Sequence, residues 1–187
     1  AGNRLATPAR KVAITLSGCA TTNGSQILTV PDVLSTGLAS GMIVDAAGVP
    51  AGTTITSFVT ATTVKLSAAA TATATVSATF RVDATESDAW EQYQHLLKNP
   101  VIFCSWTGAA PDTTLQMQAG LSALIRKGWA VSGTGITRGT YVTGISGGTP
   151  DDFNITPGTT GSAPGASPAG SELTFSGSTI IPAATTS

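Results

Sequence analysis

Charged side chains are scarce in this sequence. Lys, Arg, Asp and Glu make up 10% of the 187 residues, whereas an average soluble protein has about 25%. The formal net charge is -1, so no overall field attracts nucleic acid or an anionic membrane. Disordered chains combine high charge with low hydrophobicity, and the 41% apolar content excludes that class. We therefore expect a folded protein that binds neither nucleic acid nor membranes.

Cysteine, histidine and long apolar runs are equally scarce. No stretch approaches the roughly 20 apolar residues of a membrane-spanning helix. Cys19 and Cys104 are too few for a disulfide framework and lack metal-site spacing. We expect two reduced, half-buried thiols, and whether they pair depends on a distance that the sequence does not give.

Residues that carry chemistry form no recognisable constellation. His95 is the only histidine, and it lies in a predicted helix without a Gly-x-Ser-x-Gly motif, so we interpret it as a surface residue. Asp151 and Asp152 resemble a pair of cation ligands, but no calcium-binding loop surrounds them, which predicts a solvated turn. The sequence thus predicts no catalytic residue, no cofactor and no metal site, and we expect that the protein is not an enzyme.

Small residues dominate what is present. Thr, Ala, Gly and Ser together make up more than half of the chain. A helical bundle would instead be rich in Glu, Lys, Leu and Arg. The composition favours a protein built mainly of β-strands, because Thr prefers strands and Gly prefers turns.

An internal repeat is the most informative feature. Residues 41–59 align without gaps on residues 128–146, and both copies contain the spacing Gly-x6-Gly-x3-Gly-Thr. A fixed spacing with apolar residues in phase indicates duplication. We interpret the shared glycines as structural turns: Gly41, Gly48 and Gly52 in the first copy, and Gly128, Gly135 and Gly139 in the second. Val49-Pro50-Ala51-Gly52 predicts a turn with Pro at its second position, and Gly139 occupies the place of Gly52, where a positive φ is expected.

Within each copy, alternating apolar and polar residues predict strands separated by turns. The Ala-Thr alternation of residues 68–79 predicts a strand with hydroxyls on one face. The corresponding residues 157–170 are rich in Pro and Gly, which predicts a surface loop.

One helix is predicted between the copies. Thr85 and Asp88 are spaced as a capping box, and Asn99-Pro100 ends the helix. Aromatic and leucine side chains cluster at this junction, and we interpret them as a shared core: Phe80, Trp90, Tyr93, Leu97, Phe103 and Trp106. The alternative is an exposed aromatic shelf for a sugar or a protein partner.

These patterns predict a mainly β fold: two tandem β-sandwich or barrel-like repeat units joined by one short helix, with extended terminal arms. The predicted boundaries are residues 1–11 for the N-terminal arm, 12–82 for the first repeat, 83–100 for the linker helix, 101–178 for the second repeat and 179–187 for the tail. Basic and apolar residues in the two arms are candidate interface residues: Arg4, Leu5, Arg10, Lys11, Ile180 and Ile181.

Residues 41–59 and 64–80 contain the motifs Gly-Met-Ile-Val, Gly-Val-Pro-Ala-Gly-Thr-Thr-Ile-Thr and Val-Lys-Leu-Ser. This sequence resembles a β repeat of virion structural proteins in tailed bacteriophages. Residues 128–155 resemble it more loosely, since Thr137-Arg138 replaces the Pro-Ala step. The resemblance implies a non-enzymatic assembly protein of the virion, made in the host cytoplasm and present in many copies.

Among virion roles we favour a capsid decoration or cement protein. Such a protein stabilises the head by bridging subunits, so its partner is the major capsid protein or another virion protein, and it forms a homo-oligomer or a symmetric lattice. The first alternative is a tail, collar or baseplate component. The second is a host-binding or carbohydrate-binding β module, which should expose Trp106, Trp129 or Tyr141.

Overall fold

The computed structural model describes residues 12–82, 88–106, 111–146, 148, 150–160 and 170–179, apart from the side chains of residues 178 and 179. The predicted N-terminal arm, residues 1–11, and residues 180–187 of the tail lie outside these residues. The fold is mainly β, as predicted.

Twelve strands and one α-helix make up the described fold. The first six strands are β1 (Ala13–Thr21), β2 (Ile27–Thr29), β3 (Ile43–Ala46), β4 (Ile55–Thr60), β5 (Thr63–Leu66) and β6 (Ala74–Arg81). Helix α1 (Ala89–Leu97) follows. The last six are β7 (Val101–Ser105), β8 (Thr114–Met117), β9 (Trp129–Ser132), β10 (Tyr141–Ser146), β11 (Asp151–Thr156) and β12 (Gly170–Thr179), with a short 3-10 helix (Leu121–Leu124) after β8.

The last six strands close into an antiparallel barrel, called here the C-terminal barrel. Their order is β7-β8-β11-β10-β9-β12, and β12 returns to pair with β7. The first six strands, the N-terminal barrel, follow the same order, β1-β2-β5-β4-β3-β6, with β6 paired to β1. A bridge between Ile43 and Thr54, just before β4, joins β3 to β4. The two repeats therefore share one strand topology.

The correspondence between the barrels extends to register. In the N-terminal barrel β4 pairs Ile55 with Leu66 and then Ser57 with Lys65, which leaves a bulge at Thr56. In the C-terminal barrel β10 pairs Val142 with Ile155 and then Gly144 with Asn154, which leaves the same bulge at Thr143. Bulges are retained when a fold is duplicated because they set the local twist. This shared irregularity supports duplication independently of the glycines.

The predicted structural turns are confirmed at all six glycines, each of which has a positive φ: Gly41, Gly48, Gly52, Gly128, Gly135 and Gly139. The threonine after the last glycine of each copy is buried and closes the turn. Thr53 Oγ1 donates to the Pro50 carbonyl at 2.6 Å, and Thr140 Oγ1 donates to the Thr137 carbonyl at 2.7 Å. The repeated Gly-Thr therefore encodes a left-handed glycine followed by a threonine whose N–H and hydroxyl both donate to the same carbonyl.

The strand predicted at residues 68–79 is wrong in its first half, because β6 begins at Ala74. The preceding backbone instead bonds to two turns of the same barrel. Ala70 N donates to the Ser25 carbonyl and Thr71 N to the Gly48 carbonyl, both at 2.8 Å. The alternation of small and hydroxyl residues does describe β6 itself, where Ala78 and Phe80 are buried between more exposed neighbours. Of the loop predicted at residues 157–170, residues 161–169 lie outside the described part of the chain.

Helix α1 lies where the sequence predicts it, between the two barrels. Its described cap is Asp88, and Thr85, the predicted capping residue, lies outside the described residues. The helix packs on the N-terminal barrel at two glycines. Tyr93 Oη donates to the Gly37 carbonyl at 2.7 Å, and a Cβ on Gly41 would lie 2.9 Å from Leu96 Cδ2. Glycine at these positions allows the helix to approach the barrel closely.

The chain after α1 connects the helix to both barrels. Gly177 N, in β12, donates to the Lys98 carbonyl at 2.8 Å. Val101 N, at the start of β7, donates to Ser40 Oγ of the N-terminal barrel at 3.1 Å. One continuous group of buried apolar residues runs through both barrels. The short connection therefore holds the two units side by side.

Candidate assembly surface

The aromatic junction is only partly a core. Phe80 and Trp106 are buried, and Tyr93 and Phe103 are half-buried. The prediction is wrong for Trp90 and Leu97, which are 43% and 37% exposed. They stand seven residues apart and so share one side of α1, whereas the helix contacts the barrel through Tyr93 and Leu96. The sequence predicts an apolar stripe along α1, but the N-terminal barrel covers only part of the width of that stripe.

Trp90 and Tyr93 form an aromatic pair at the edge of this exposed side. Their ring centroids lie 5.8 Å apart and the ring planes are tilted by 45°. Such tilted pairs are stabilising beyond the area that they bury. The pair gives the helix surface a fixed aromatic face.

The aromatic residues predicted to mark a sugar-binding module have a different environment. Trp106 is buried, and Trp129 and Tyr141 are half-buried. Trp129 packs beside Gly177, since a Cβ on that glycine would lie 3.3 Å from the indole ring. Trp106 therefore contributes to the core and not to an exposed shelf.

A small polar cluster joins the two barrels. Glu172 of β12 accepts a hydrogen bond from Lys65 Nζ at 2.8 Å and from Ser57 Oγ at 3.0 Å, both at Oε1. Ser57 and Lys65 are cross-strand partners in β4 and β5. Ser57 is buried, whereas the two charged side chains are about one-third exposed. We call Ser57, Lys65 and Glu172 the inter-barrel cluster.

Beside this cluster the barrels also share a strand contact. β4 and β7 run parallel, with Phe58 opposite Ile102. Both residues are buried. The inter-barrel joint therefore consists of one apolar strand pair with one ion pair at its side.

The predicted interpretation of Asp151 and Asp152 as a solvated turn is wrong, because both begin strand β11 and Asp151 is buried. The Asp151 carboxylate accepts hydrogen bonds from the main-chain N–H groups of Gly120 at 2.9 Å, Ser122 at 3.1 Å and Gly148 at 3.2 Å. These donors stabilise a buried carboxylate and need no cation.

The pKa of Asp151 reflects two opposing effects. Desolvation of the buried carboxyl raises its pKa, but the hydrogen bonds from Ser122, Gly148 and Gly120 outweigh that effect and hold the pKa below its usual value.

In the N-terminal barrel, Asp32 caps the equivalent loop, the one after the second strand, from within the loop itself. Its carboxylate accepts from Leu34 N at 2.9 Å and Ser35 N at 3.0 Å. Each repeat thus uses one aspartate to cap the loop after its second strand.

The two cysteines are equivalent residues of the two barrels. Cys19 is opposite Val76 in β6 and Cys104 is opposite Ser171 in β12. Both are free and fully buried, not half-buried as expected. The equivalence could not be read from the sequence because β1 has a bulge between Leu16 and Cys19, which shifts the alignment.

His95 is exposed on α1. In the described part of the chain, no group of three or more His, Cys, Asp and Glu residues is placed to hold a metal ion. The described residues also contain no helix long and apolar enough to cross a membrane. The candidate interface residues Arg4, Leu5, Arg10, Lys11, Ile180 and Ile181 lie outside the described residues.

Comparison with known proteins identifies no relative of this chain. No protein-family model matches the chain, and no curated protein or solved structure matches it.

Proposed function

We propose that the protein is a non-enzymatic structural component of a bacteriophage virion, and most specifically a capsid decoration protein that bridges neighbouring capsid subunits. The observation that carries this proposal is the duplicated barrel. The segments that resemble a virion β repeat, residues 41–59 and 64–80, cover most of β3 to β6, and their counterparts in the second copy lie in β9 to β12. Two similar units side by side suit a protein that contacts two similar neighbours in a symmetric shell.

The surface chemistry supports the same role. With few charges, broad contacts form at a low desolvation cost. The exposed apolar residues of the described chain are spread over β2, α1, β10 and the loop after β2: Ile27, Trp90, Leu97, Ile145 and Leu34. Exposed apolar side chains of this size mark interaction sites when they cluster, and Trp90 and Leu97 share one helix side.

A second candidate is a host-binding or carbohydrate-binding β module. The exposed Trp90 beside Tyr93 favours it, since aromatic rings stack on sugar faces. A tail, collar or baseplate component remains the alternative within the virion.

Co-sedimentation separates these candidates. The purified chain is mixed with heads that lack it, with isolated tails, and with host cells. We expect saturable binding to heads alone. Saturable binding to tails would move the protein to the tail, and binding to cells that free sugar abolishes would favour the carbohydrate module. Binding to none of the three would contradict a virion surface role.

The predicted arms provide a second test. Deletion of residues 1–11 should leave the melting temperature of the isolated protein unchanged and weaken its binding to heads. If the shortened chain unfolds instead, residues 1–11 belong to the core and the arm hypothesis fails.

A further inference from the structure

Each half of the joint between the barrels has an equivalent in the other barrel that no described strand fills, called here an unused half. Inside the chain, β4 of the N-terminal barrel pairs in parallel with β7 of the C-terminal barrel, at Phe58 and Ile102. The shared topology makes β10 the equivalent of β4, and β1 the equivalent of β7. β10 and β1 are therefore equivalent to the two strands of the joint, and each lies in a different barrel. They do not pair with each other among the chain's described pairings.

The first unused half is the end of β10. This strand pairs with β11 over most of its length but with β9 only at Tyr141. In the described residues, positions 143–146 therefore have a strand neighbour on one side only. Ile145 occupies the position of Phe58, since Ile145 pairs with Phe153 as Phe58 pairs with Val64. Phe58 is 1% exposed, whereas Ile145 is 38% exposed.

The second unused half is the beginning of β1. Among the described strands, β1 pairs with β6 along most of its length and with β2 only at Ala20. Residues 13–16 therefore also have a neighbour on one side only. Leu16 occupies the position of Ile102, because Leu16 is opposite Ala78 and Ile102 is opposite Leu173, which are equivalent residues. Leu16 is half-buried and Ile102 fully buried.

The residues around the two edges are compatible with each other. The equivalents of Lys65 and Glu172 are Asn154 and Ser77, and both are exposed. The equivalent of Ser57 is Gly144. A contact between copies with the geometry of the internal joint would thus replace an ion pair by a neutral amide and hydroxyl, which can form a hydrogen bond without burying a charge.

We propose that the chain associates head to tail with further copies of itself, with β10 of one copy pairing in parallel with β1 of the next, as β4 pairs with β7 inside each copy. A second copy of the chain is the occupant that fits both edges. β10 is equivalent to β4 and β1 is equivalent to β7, and β4 already pairs with β7 within the molecule. Exposed strand edges are templates for such pairing. The interface is heterologous, so it grows into a ring or a chain of copies. It goes beyond the virion role and needs no phage particle.

Sedimentation of the full-length chain over a dilution series tests this inference. We expect the wild type to exceed the 18.6 kDa monomer at high concentration. Ile145→Lys places a charge on the β10 edge and should lower the association constant at least about tenfold. Ile27→Lys is the matched control, since Ile27 is also 38% exposed but lies on β2, which pairs with β1 at Ala20 and not at residues 13–16. It should associate like the wild type.

Mixing two blocked variants tests the head-to-tail arrangement. Leu16→Lys blocks the β1 edge, and Ile145→Lys blocks the β10 edge. Each variant alone should be monomeric, and an equimolar mixture should form dimers and nothing larger, because each partner keeps one intact edge. If Leu16→Lys melts early, Ser17→Pro replaces it, because Ser17 is exposed in the bulge and outside the β6 pairing. A monomeric wild type, an Ile145→Lys variant that associates normally, or a mixture that stays monomeric would overturn the proposal.

Discussion

Cys19 and Cys104 make the same hydrogen bond in the two barrels. The Sγ of Cys19 donates to the Leu16 carbonyl and the Sγ of Cys104 donates to the Ile102 carbonyl, each at 3.6 Å. Leu16 and Ile102 are themselves equivalent residues. Duplication therefore preserved a buried thiol together with its main-chain acceptor.

The two thiols should be unreactive in the native protein. Desolvation by burial raises the pKa of both Cys19 and Cys104, and the thiolate is the nucleophile. With Ellman's reagent near pH 8, we expect slow labelling of the native chain and rapid labelling of two thiols in guanidinium chloride. Because the folded pKa values are raised, stability should also fall as the pH rises above the unfolded value near 9.0. Rapid labelling of the native chain would show that the thiols are accessible.

The repeated turn glycines should be intolerant of a side chain. Gly52 and Gly139 have φ values of 76° and 86°, and a Cβ at either position would meet no atom within 4 Å. Their requirement for glycine is therefore conformational and not steric. Gly52→Ala and Gly139→Ala should each lower the free energy of unfolding by about 1 kcal/mol, measured by urea denaturation.

The matched control for these variants is Gly144→Ala. Gly144 lies outside the left-handed region, and its nearest neighbour, Asn154 Nδ2, would be at an ordinary 3.5 Å. This variant should be close to the wild type in stability. Equal losses at all three glycines would contradict the turn assignment.

Asp151→Asn should destabilise the C-terminal barrel. The amide has one acceptor oxygen for three main-chain donors, so the loss should be about 1 to 3 kcal/mol at neutral pH. The pKa of Asp151 lies below its usual 3.8, so the carboxylate contributes stability above that value and loses it as the pH falls through the folded pKa. Urea denaturation at several pH values should show the difference from wild type shrinking below about pH 4.

Asp152→Asn is the control for that measurement. Asp152 is half-buried and accepts one hydrogen bond, from Gln116 Nε2 at 3.0 Å, which an asparagine oxygen can also accept. We expect little change at any pH. If the two variants behaved alike, the cap formed by Asp151 would not be structural.

Glu172→Ala should weaken the joint between the barrels. The ion pair with Lys65 is partly exposed and contributes little by itself, but Ser57 would lose the acceptor of its buried hydroxyl. We expect a loss of about 1 kcal/mol by thermal or urea denaturation. Asp45→Ala breaks the more exposed Arg81–Asp45 pair within one barrel and should cost less. A larger loss for Asp45→Ala would argue against a structural role for the inter-barrel cluster.

The fold was predictable where local chemistry determines it. The six glycines and the buried Thr53 and Thr140 report backbone conformation directly, because few other residues accept a positive φ or donate a side-chain hydroxyl to a nearby carbonyl. Their spacing was therefore sufficient to find the duplication. The helix was also predictable from its periodicity and from the Asn99-Pro100 stop.

The surface was not predictable in the same way. Exposure of Trp90 and Leu97 depends on how much of α1 the barrel covers, and periodicity gives the apolar width of a helix but not the width of its partner. Burial of Asp151 depends on three N–H groups, two of which, those of Gly120 and Ser122, come from distant positions in the chain. The strand edges at Ile145 and Leu16 follow from the order of the barrel strands, which no local pattern encodes.

The most direct test of the virion role is the mass of phage heads by light scattering before and after saturation with the purified chain. A decoration role predicts a fixed increase that corresponds to a whole number of copies for each symmetry-related position of the shell, with the protein's own termini becoming resistant to protease on binding. Heads whose mass is unchanged at saturating protein would contradict the role as a decoration protein.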